Sequence, residues 1–245
     1  MLEFFRKKKK AAADFSGLAI DMHSHLLPGI DDGSPDSATS IELMNGLTDL
    51  GFSRFIATPH IMWDLYQNTS ETIEAAAQTL KKDGGHGFRD NIGFAAEYFL
   101  DDHLEKLLDE DVPLLTIKDN LVLFEFSFVS TPYDFKQIIF KMQIKGYKPV
   151  LAHPERYLYL SQTRAVYDEL KSAGCLFQLN ILSLANYYGK LSAEIANYLI
   201  NKGYVDLLGT DLHHQRHLDA LRNCGFIMPT INQLLESGKL LNPGL

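Results

Sequence analysis

The sequence predicts an α/β fold, a single parallel barrel in which strands alternate with helices. Short apolar runs without a helical period alternate with amphipathic, helix-length stretches about seven times. Most histidines, and two acids in otherwise apolar runs, fall in or just after the predicted strands, where parallel barrels carry their functional groups. A length of 245 residues with 46% hydrophobic content suits one sizeable barrel core and excludes general disorder.

The first strand, over residues 17–22, leads into His23 and His25. Residues two apart in an extended chain share a side, so both imidazoles face one point at the strand's end. Pro28, Gly29 and Gly33 then force a loop that carries Asp31 and Asp32 back over that point. Ser34 and Pro35 are expected to open the first helix as N-cap and first helical residue. Ala38, Ile41, Met44 and Leu47 continue its apolar stripe until Gly51. The strand over 54–58 ends in Pro59-His60, and a second helix covers 68–82. The glycine-rich run 83–87 follows a helix rather than a strand, so it reads as a turn and not as a phosphate cradle.

The strand over 92–96 meets Glu97, an acid in an otherwise apolar run. Residues 101–108 form a short helix with acids in its first turn, as the helix dipole prefers, and His103 on it is expected to face solvent. The strand over 121–126 contains Glu125, a charge that is costly there unless paired or bound to a metal. Thr131-Pro132 opens a helix that runs to Gly146 with Phe135, Ile138, Ile139 and Met142 on its buried side. The strand over 148–152 ends His153-Pro154-Glu155-Arg156, and a helix over 164–173 stops at Gly174. The strand over 176–180 places Gln178 and Asn180 on one face, positioned to support ligands from behind. A helix over 193–201 follows, then a strand over 205–210 that ends Asp211-Leu212-His213. A last helix from about Leu218, with a break near Pro229, closes the chain.

The formal charge of -8 argues against a broad nucleic-acid footprint, which needs a basic face. Cys175 and Cys224 are too few for a disulfide framework, and Cys175, in an apolar run, reads as a buried, reduced thiol. No apolar run is long enough to span a bilayer. The N-terminus, Met-Leu-Glu-Phe-Phe-Arg-Lys-Lys-Lys-Lys, has its apolar residues before its charges, the reverse of a signal peptide. A flexible basic tail over 1–15 and one domain over 16–245, located in the cytoplasm, are expected. The tail is either simply solvated or in weak contact with an anionic membrane surface, where each basic residue contributes ~1 kcal/mol.

A His-x-His pair alone is weak evidence for a metal site and reads more readily as two polar residues closing a strand. Here, however, His23, His25, His60, Glu97, Glu125, His153 and Asp211 all lie in or just after predicted strands, with His213 two residues beyond. Counting Asp32, five histidines and four carboxylates are too many for one ion, whereas two or three ions sharing a bridging carboxylate would use them all. Mixed nitrogen and oxygen ligands without thiolate favour Mn²⁺, Fe or Zn²⁺ over Ca²⁺ or Mg²⁺. Three divalent ions set against four carboxylates leave about +2 at the site before any bridging hydroxide, and Arg156 adds to it. An acidic protein can thus present a cationic pocket suited to a phosphoryl dianion. The expected chemistry is hydrolysis by metal-activated water, with the guanidinium of Arg156 shaped for two-point contact with phosphate. His86, His103, His214 and His217 fall on loops or helices and are not expected to be ligands.

In order and across nearly the whole chain, Asp21-Met-His-Ser-His25, Thr58-Pro-His60, Glu97, Glu125, His153 and Asp211-Leu-His213 resemble the metal-binding motifs of the PHP (polymerase and histidinol phosphatase) superfamily. Pro28-Gly-Ile-Asp-Asp-Gly33 and His153-Pro-Glu-Arg-Tyr157 resemble its bacterial manganese-dependent tyrosine phosphatases of capsule and exopolysaccharide loci. The resemblance implies a distorted (β/α)₇ TIM-like barrel holding three metals, Mn²⁺ first among the candidates. It implies that His23, His25, Glu97 and Asp211 hold one ion and that Glu97 bridges to a second bound by Glu125 and His153. Asp32, His60 and His213 would then hold the third. Arg156 matches the family's phosphate-contacting arginine, and Asp211 and His213 are implied to join it in catalysis. The family's further arginine, soon after the last motif, has its counterpart in Arg216, at a different offset inside His213-His-Gln-Arg-His217. The implied substrate is the phosphotyrosine-rich C-terminal tail of a membrane-associated tyrosine autokinase that controls polysaccharide export. One rival is a PHP phosphatase of a small alkyl phosphate such as histidinol phosphate. Another is a metal-dependent amidohydrolase, which shares the barrel and the His-x-His opening but carries a bridging lysine on a middle strand, where Glu125 stands here.

Overall fold

The computed structural model describes residues 12–85 and 90–245; the basic run at the N-terminus and His86 lie outside the described residues. Phe15 is already part of the core, stacked on Phe52 at 5.4 Å, with its N–H donating to the Leu50 carbonyl at 2.7 Å. The folded chain therefore includes the last residues of the expected 1–15 tail.

The described strands are β1 (Ile20–Asp21), β2 (Arg54–Ala57), β3 (His60–Ile61), β4 (Ile92–Phe94), β5 (Glu97–Phe99), β6 (Leu121–Glu125), β7 (Lys148–Ala152), β8 (Leu176–Asn180) and β9 (Leu207–Gly209). All pair in parallel, in two sheets ordered β1-β2-β4 and β3-β5-β6-β7-β8-β9. The fold class is as expected, but the strands do not form one continuous ring. The expected strand at 54–58 and its histidine are split into β2 and β3 at Thr58-Pro59, where proline has no N–H to give a ladder. The run at 92–97 is likewise split into β4 and β5 at Ala95-Ala96. Rejoining these two leaves seven strand positions in the expected order. The breaks are local, since Ala95 N–H still donates to Ala57 O at 2.8 Å and Glu97 N–H to Pro59 O at 3.0 Å. Beyond β1 and β9 the chain also runs side by side, with Asp211 N–H donating to His23 O at 2.8 Å and His25 N–H to Leu212 O at 2.9 Å.

Helices α1 (Ser37–Asp49), α2 (Ser70–Asp83), α3 (Asp102–Asp109), α4 (Phe135–Ile144), α5 (Ala165–Ser172), α6 (Lys190–Lys202), α7 (Gln215–Asn223) and α8 (Met228–Glu236) connect or follow the strands. Three boundaries differ from expectation. Helix α1 is capped by Asp36, whose carboxylate accepts from Thr39 N–H at 2.8 Å, while Ser34 is buried in the preceding loop, its backbone N–H donating to His25 O at 3.0 Å. Thr131-Pro132 stays outside α4, although Phe135, Ile138, Ile139 and Met142 are buried as expected. The last helix breaks at Cys224, and Pro229 lies in the first turn of α8, where a missing N–H costs nothing.

Alternation along the strands divides the core. Leu123 of β6, Val150 and Ala152 of β7, Leu207 of β9 and Ile56 of β2 pack in one small apolar cluster. Val122, Phe124, Leu151, Phe177, Leu179 and Leu208 point the other way and pack with the helices in a larger one. Glu125 shares the parity of Leu123, and Gln178 and Asn180 that of Leu176, which packs against the small cluster. The inner face is therefore apolar at the start of the strands and turns polar at their C-terminal ends. Cys175 and Cys224 are buried free thiols.

Tyr157, fully buried, joins the ends of β6 and β7: its hydroxyl accepts from Phe126 N–H at 2.9 Å and donates to Ala152 O at 3.0 Å. Tyr157→Phe leaves both backbone groups without that partner, so urea unfolding should show a loss of about 1–3 kcal/mol. A change within about 0.3 kcal/mol would mean that the hydroxyl does not hold the strand ends.

Candidate metal centre

The nine expected ligands come from six separate segments, and the fold gathers them. His23 and His25 follow β1, His60 opens β3, Glu97 opens β5 and Glu125 ends β6. His153 follows β7, and Asp211 and His213 follow β9. Asp32 arrives on the loop after His25. His153 and Asp211 have left-handed backbones, with φ of 33° and 53°. Non-glycine residues adopt that region at a cost, and such strain gathers at functional sites. Here it turns the chain sharply just after β7 and β9, which flank β8, with both side chains facing the cluster.

Glu97 stands at the centre. Its Oε2 lies 3.2 Å from His23 Nε2, 3.4 Å from His25 Nε2 and 3.3 Å from His60 Nδ1. Its Oε1 lies 3.0 Å from His153 Nε2. Asp211 Oδ1 is 3.5 Å from His23 Nε2 and 3.4 Å from His25 Nε2. Ligand atoms about 2.1 Å from one tetrahedral ion are about 3.4 Å apart, close to these separations; ligand atoms of His23, His25 and Glu97 all lie within 4.8 Å of one another, as do those of His23, His153 and Asp211. His60 Nδ1 is 3.0 Å from Glu125 Oε1, and Glu125 Oε2 is 3.9 Å from His153 Nε2. Asp32 Oδ1 lies 3.5 Å from both His60 Nε2 and His213 Nε2. The implied grouping places His60 with Asp32 and His213 alone; in the structure its ring also turns a nitrogen toward Glu97 and Glu125.

The atoms turned inward lack hydrogen-bond partners. His23 Nε2, His25 Nε2, His60 Nδ1, both oxygens of Glu97 and Glu125 Oε1 are buried without one. Buried polar atoms are normally satisfied, and a naked carboxylate among imidazoles is an expensive arrangement. Divalent cations of the transition series would partner these nitrogen and oxygen atoms, so the residues fit the implied metals.

The outward atoms, by contrast, are held. Gln178 Oε1 lies 2.7 Å from His23 Nδ1, and Asp31 Oδ2 lies 2.8 Å from His25 Nδ1. Gln178 Nε2 donates to Asn180 Oδ1 at 2.9 Å, and Asn180 Nδ2 donates to Asp211 Oδ2 at 2.7 Å. These contacts fix which nitrogen each histidine shows the centre, the usual task of groups behind metal ligands. Gln178 and Asn180 were expected to do this; Asp31 was not singled out from its neighbour Asp32. Its signal is the spacing of six residues from His25 across a glycine turn. Gly33 allows that turn, since a Cβ there would lie 2.2 Å from His25 O.

A cavity of about 240 Å³ opens over the cluster, lined in part by Asp32, His60, Glu125, His153, Asp211 and His213. Arg156 reaches into it from the short turn Pro154–Arg156, its Nη1 donating to Asp211 Oδ2 at 3.0 Å. It does not pair with Glu155, which is buried and accepts from Asn180 N–H and Ser183 Oγ. Arg216 is exposed on α7 and is not among the lining residues. His214 and His217 line the cavity instead, because successive helical residues point about 100° apart. Phe128 and Tyr188 also line it and were not expected. His103, half-buried, stacks on Trp63 at 3.9 Å and is not a lining residue of this cavity.

The chain is similar to known proteins over most of its length. The sequence model of the family described as "Capsular polysaccharide synthesis, CpsB/CapC" matches residues 19–228. The chain is 30% identical over 199 residues to tyrosine-protein phosphatase YwqE of Bacillus subtilis (strain 168), covering 80% of this chain and 77% of that one. It is 27% identical over 202 residues to tyrosine-protein phosphatase CpsB of Streptococcus pneumoniae, covering 80% and 83%. A solved chain from the crystal structures of YwqE from Bacillus subtilis and CpsB from Streptococcus pneumoniae, described as unique metal-dependent tyrosine phosphatases, matches with a TM-score of 0.76 and 28% identity over 89% of this chain and 90% of that one. The chain belongs to the CpsB/CapC family.

Burial pushes the His23 imidazole down, but Glu97 and Asp211 outweigh it and raise it to about 9. Burial likewise lowers His25, and Asp31 together with Asp211 and Glu97 raises it well above the usual range. Raised imidazoles hold protons at neutral pH, and a metal must displace them. Titrating Mn²⁺ into chelator-treated protein at pH 7 should release about one proton or more per chain, read as an enthalpy that changes with the buffer's ionisation heat. Equal enthalpies in two such buffers would contradict this.

Proposed function

We propose that this member of the CpsB/CapC family is a metal-dependent protein-tyrosine phosphatase, and that the nine residues of the cluster hold its metals. The carrying observation is the set of buried, unpartnered nitrogen and oxygen atoms around Glu97, open to a cavity that also contains Arg156. His23, His25, Glu97 and Asp211 would hold one ion, and Glu97 with Glu125 and His153 a second. Asp32, His60 and His213 would hold a third. Mn²⁺ is the first candidate, with Fe and Zn²⁺ as the alternatives that the same donors accept. Such ions supply an acidified water as nucleophile and neutralise phosphoryl charge.

The protein's own groups do the rest. Arg156 binds the phosphoryl oxygens with its planar fork; Asp211 fixes the guanidinium through Nη1, which leaves the other donors for substrate. Asp211 in turn is fixed by Asn180, so the clamp and the metal ligands share one hydrogen-bonded frame. The leaving phenolate has a pKa of about 10, so the reaction needs less proton donation than an alkyl ester would. Glu125 stands where an amidohydrolase carries its bridging lysine, which supports the phosphatase reading. The substrate we propose is the phosphotyrosine-rich C-terminal tail of a membrane-associated tyrosine autokinase of polysaccharide export, met in the cytoplasm. No helix among the described residues is long and apolar enough to cross a membrane, and weak surface contact through the basic N-terminal residues remains part of this proposal.

Turnover on a phosphotyrosyl peptide by wild type, Arg156→Ala and Arg156→Lys tests the clamp, with metal content measured for each. Arg156→Ala should lose about 10²–10³ in turnover, by analogy with removing one oxyanion donor. Arg156→Lys keeps the charge without the fork and should regain part of that. An alanine variant with full metal content and turnover within about threefold of wild type would rule the clamp out.

A further inference from the structure

Arg156 does not project freely into the cavity. Its guanidinium carbon lies 4.7 Å from the centre of the Phe128 ring and 4.3 Å from that of Tyr188, so the cation is held between two aromatic faces. The two rings differ in what they leave open. Tyr188 is half-buried, and its hydroxyl is buried without a hydrogen-bond partner. Phe128 is 49% exposed, although it also lies near His153 at 5.5 Å and Tyr157 at 5.6 Å. An aromatic ring so exposed beside a charged cavity has apolar surface still to cover. The loop that carries it also exposes Val129 and Tyr133, and Phe128 itself lines the cavity.

We propose that Phe128 is a specificity-determining residue that receives the phenyl ring of an aryl phosphate. The inference rests on the phosphatase reading above and assigns its preference for tyrosine. In a phosphotyrosyl ester the ring carbon is two bonds from phosphorus, so a phosphoryl group held by Arg156 brings that ring alongside the guanidinium's own aromatic neighbour. Ring pairs prefer offset or edge contact with centres about 4.5–7 Å apart, which the open part of Phe128 permits. A seryl or threonyl phosphate has no ring to offer and would leave Phe128 uncovered. The same contact explains why an apolar residue is kept at the mouth of a site built from charges.

The test compares two non-hydrolysable phosphonates that differ only in the ring, benzylphosphonate and methylphosphonate. Their binding to the metal-loaded protein is measured by calorimetry for wild type, Phe128→Leu and Phe128→Tyr. Wild type should prefer benzylphosphonate. Phe128→Leu, which keeps apolar cover on Arg156 but removes the π face, should weaken benzylphosphonate about 5- to 10-fold and leave methylphosphonate within about twofold. Phe128→Tyr should restore the preference. An equal weakening of both ligands would show that Phe128 only props Arg156, and no change in either would show that it contacts no ligand; both results overturn the inference while leaving the phosphatase reading intact. If wild type hydrolyses no phosphotyrosyl peptide and shows no preference for benzylphosphonate, the phosphatase reading fails as well.

Discussion

Glu97 is the constraint around which this fold is arranged. It is a carboxylate with no exposure to solvent and no hydrogen bond to either oxygen, set among the imidazoles of His23, His25, His60 and His153. Burial opposes its charge, yet the surrounding imidazoles, His23 and His60 foremost, hold it well below the usual carboxylate range. Histidines and carboxylates so placed satisfy one another only in part, because their inward atoms face a common centre rather than each other along hydrogen bonds. Cations shared between them would resolve the conflict, and the parallel strands are the means by which six distant segments meet there.

The frame behind the centre shows how that arrangement is kept. Gln178 and Asn180 lie two apart on β8, and between them they hold His23 and Asp211. Gln178 Oε1 also accepts from His153 N–H at 3.3 Å. Asp21 Oδ2 accepts from Thr210 Oγ1 at 2.7 Å, tying the segment before the histidine pair to the segment before Asp211. Gly209 must be small, since a Cβ there would meet His23 Cβ at 2.7 Å and Gln178 Nε2 at 2.8 Å. Tightness behind the candidate ligands and openness in front are the two halves of one design: rigid orientation of donors, with a cavity left before them.

Much of this was legible in the sequence. Apart from Asp32, the candidate ligand positions stood out because they lie in or just after apolar runs short enough to be strands, and because Glu97 and Glu125 have no structural reason to lie in such runs. The pairing of Gln178 with Asn180 followed from period-two alternation alone. Other features depend on the path of loops, which local pattern does not encode. Asp31 and Asp32 are neighbours of the same chemistry, and only the turn at Gly33 decides that the first braces His25 while the second faces His60 and His213. Pro59 warned of the break between β2 and β3, but Ala95-Ala96 carries no comparable signal. Arg216 matched in residue type, yet one step of helical rotation puts His217 toward the cavity in its place. Phe128 and Tyr188 became recognisable only once Arg156 was seen between them.

The most direct measurement is elemental analysis of the chain purified with ample manganese, taken together with turnover on a phosphotyrosyl peptide before and after chelation. The expected result is roughly two to three transition-metal ions per chain, as a bridging carboxylate between ions requires, with turnover lost on chelation and regained with Mn²⁺. Full turnover by a chain that holds less than about one ion would contradict a shared metal centre at Glu97.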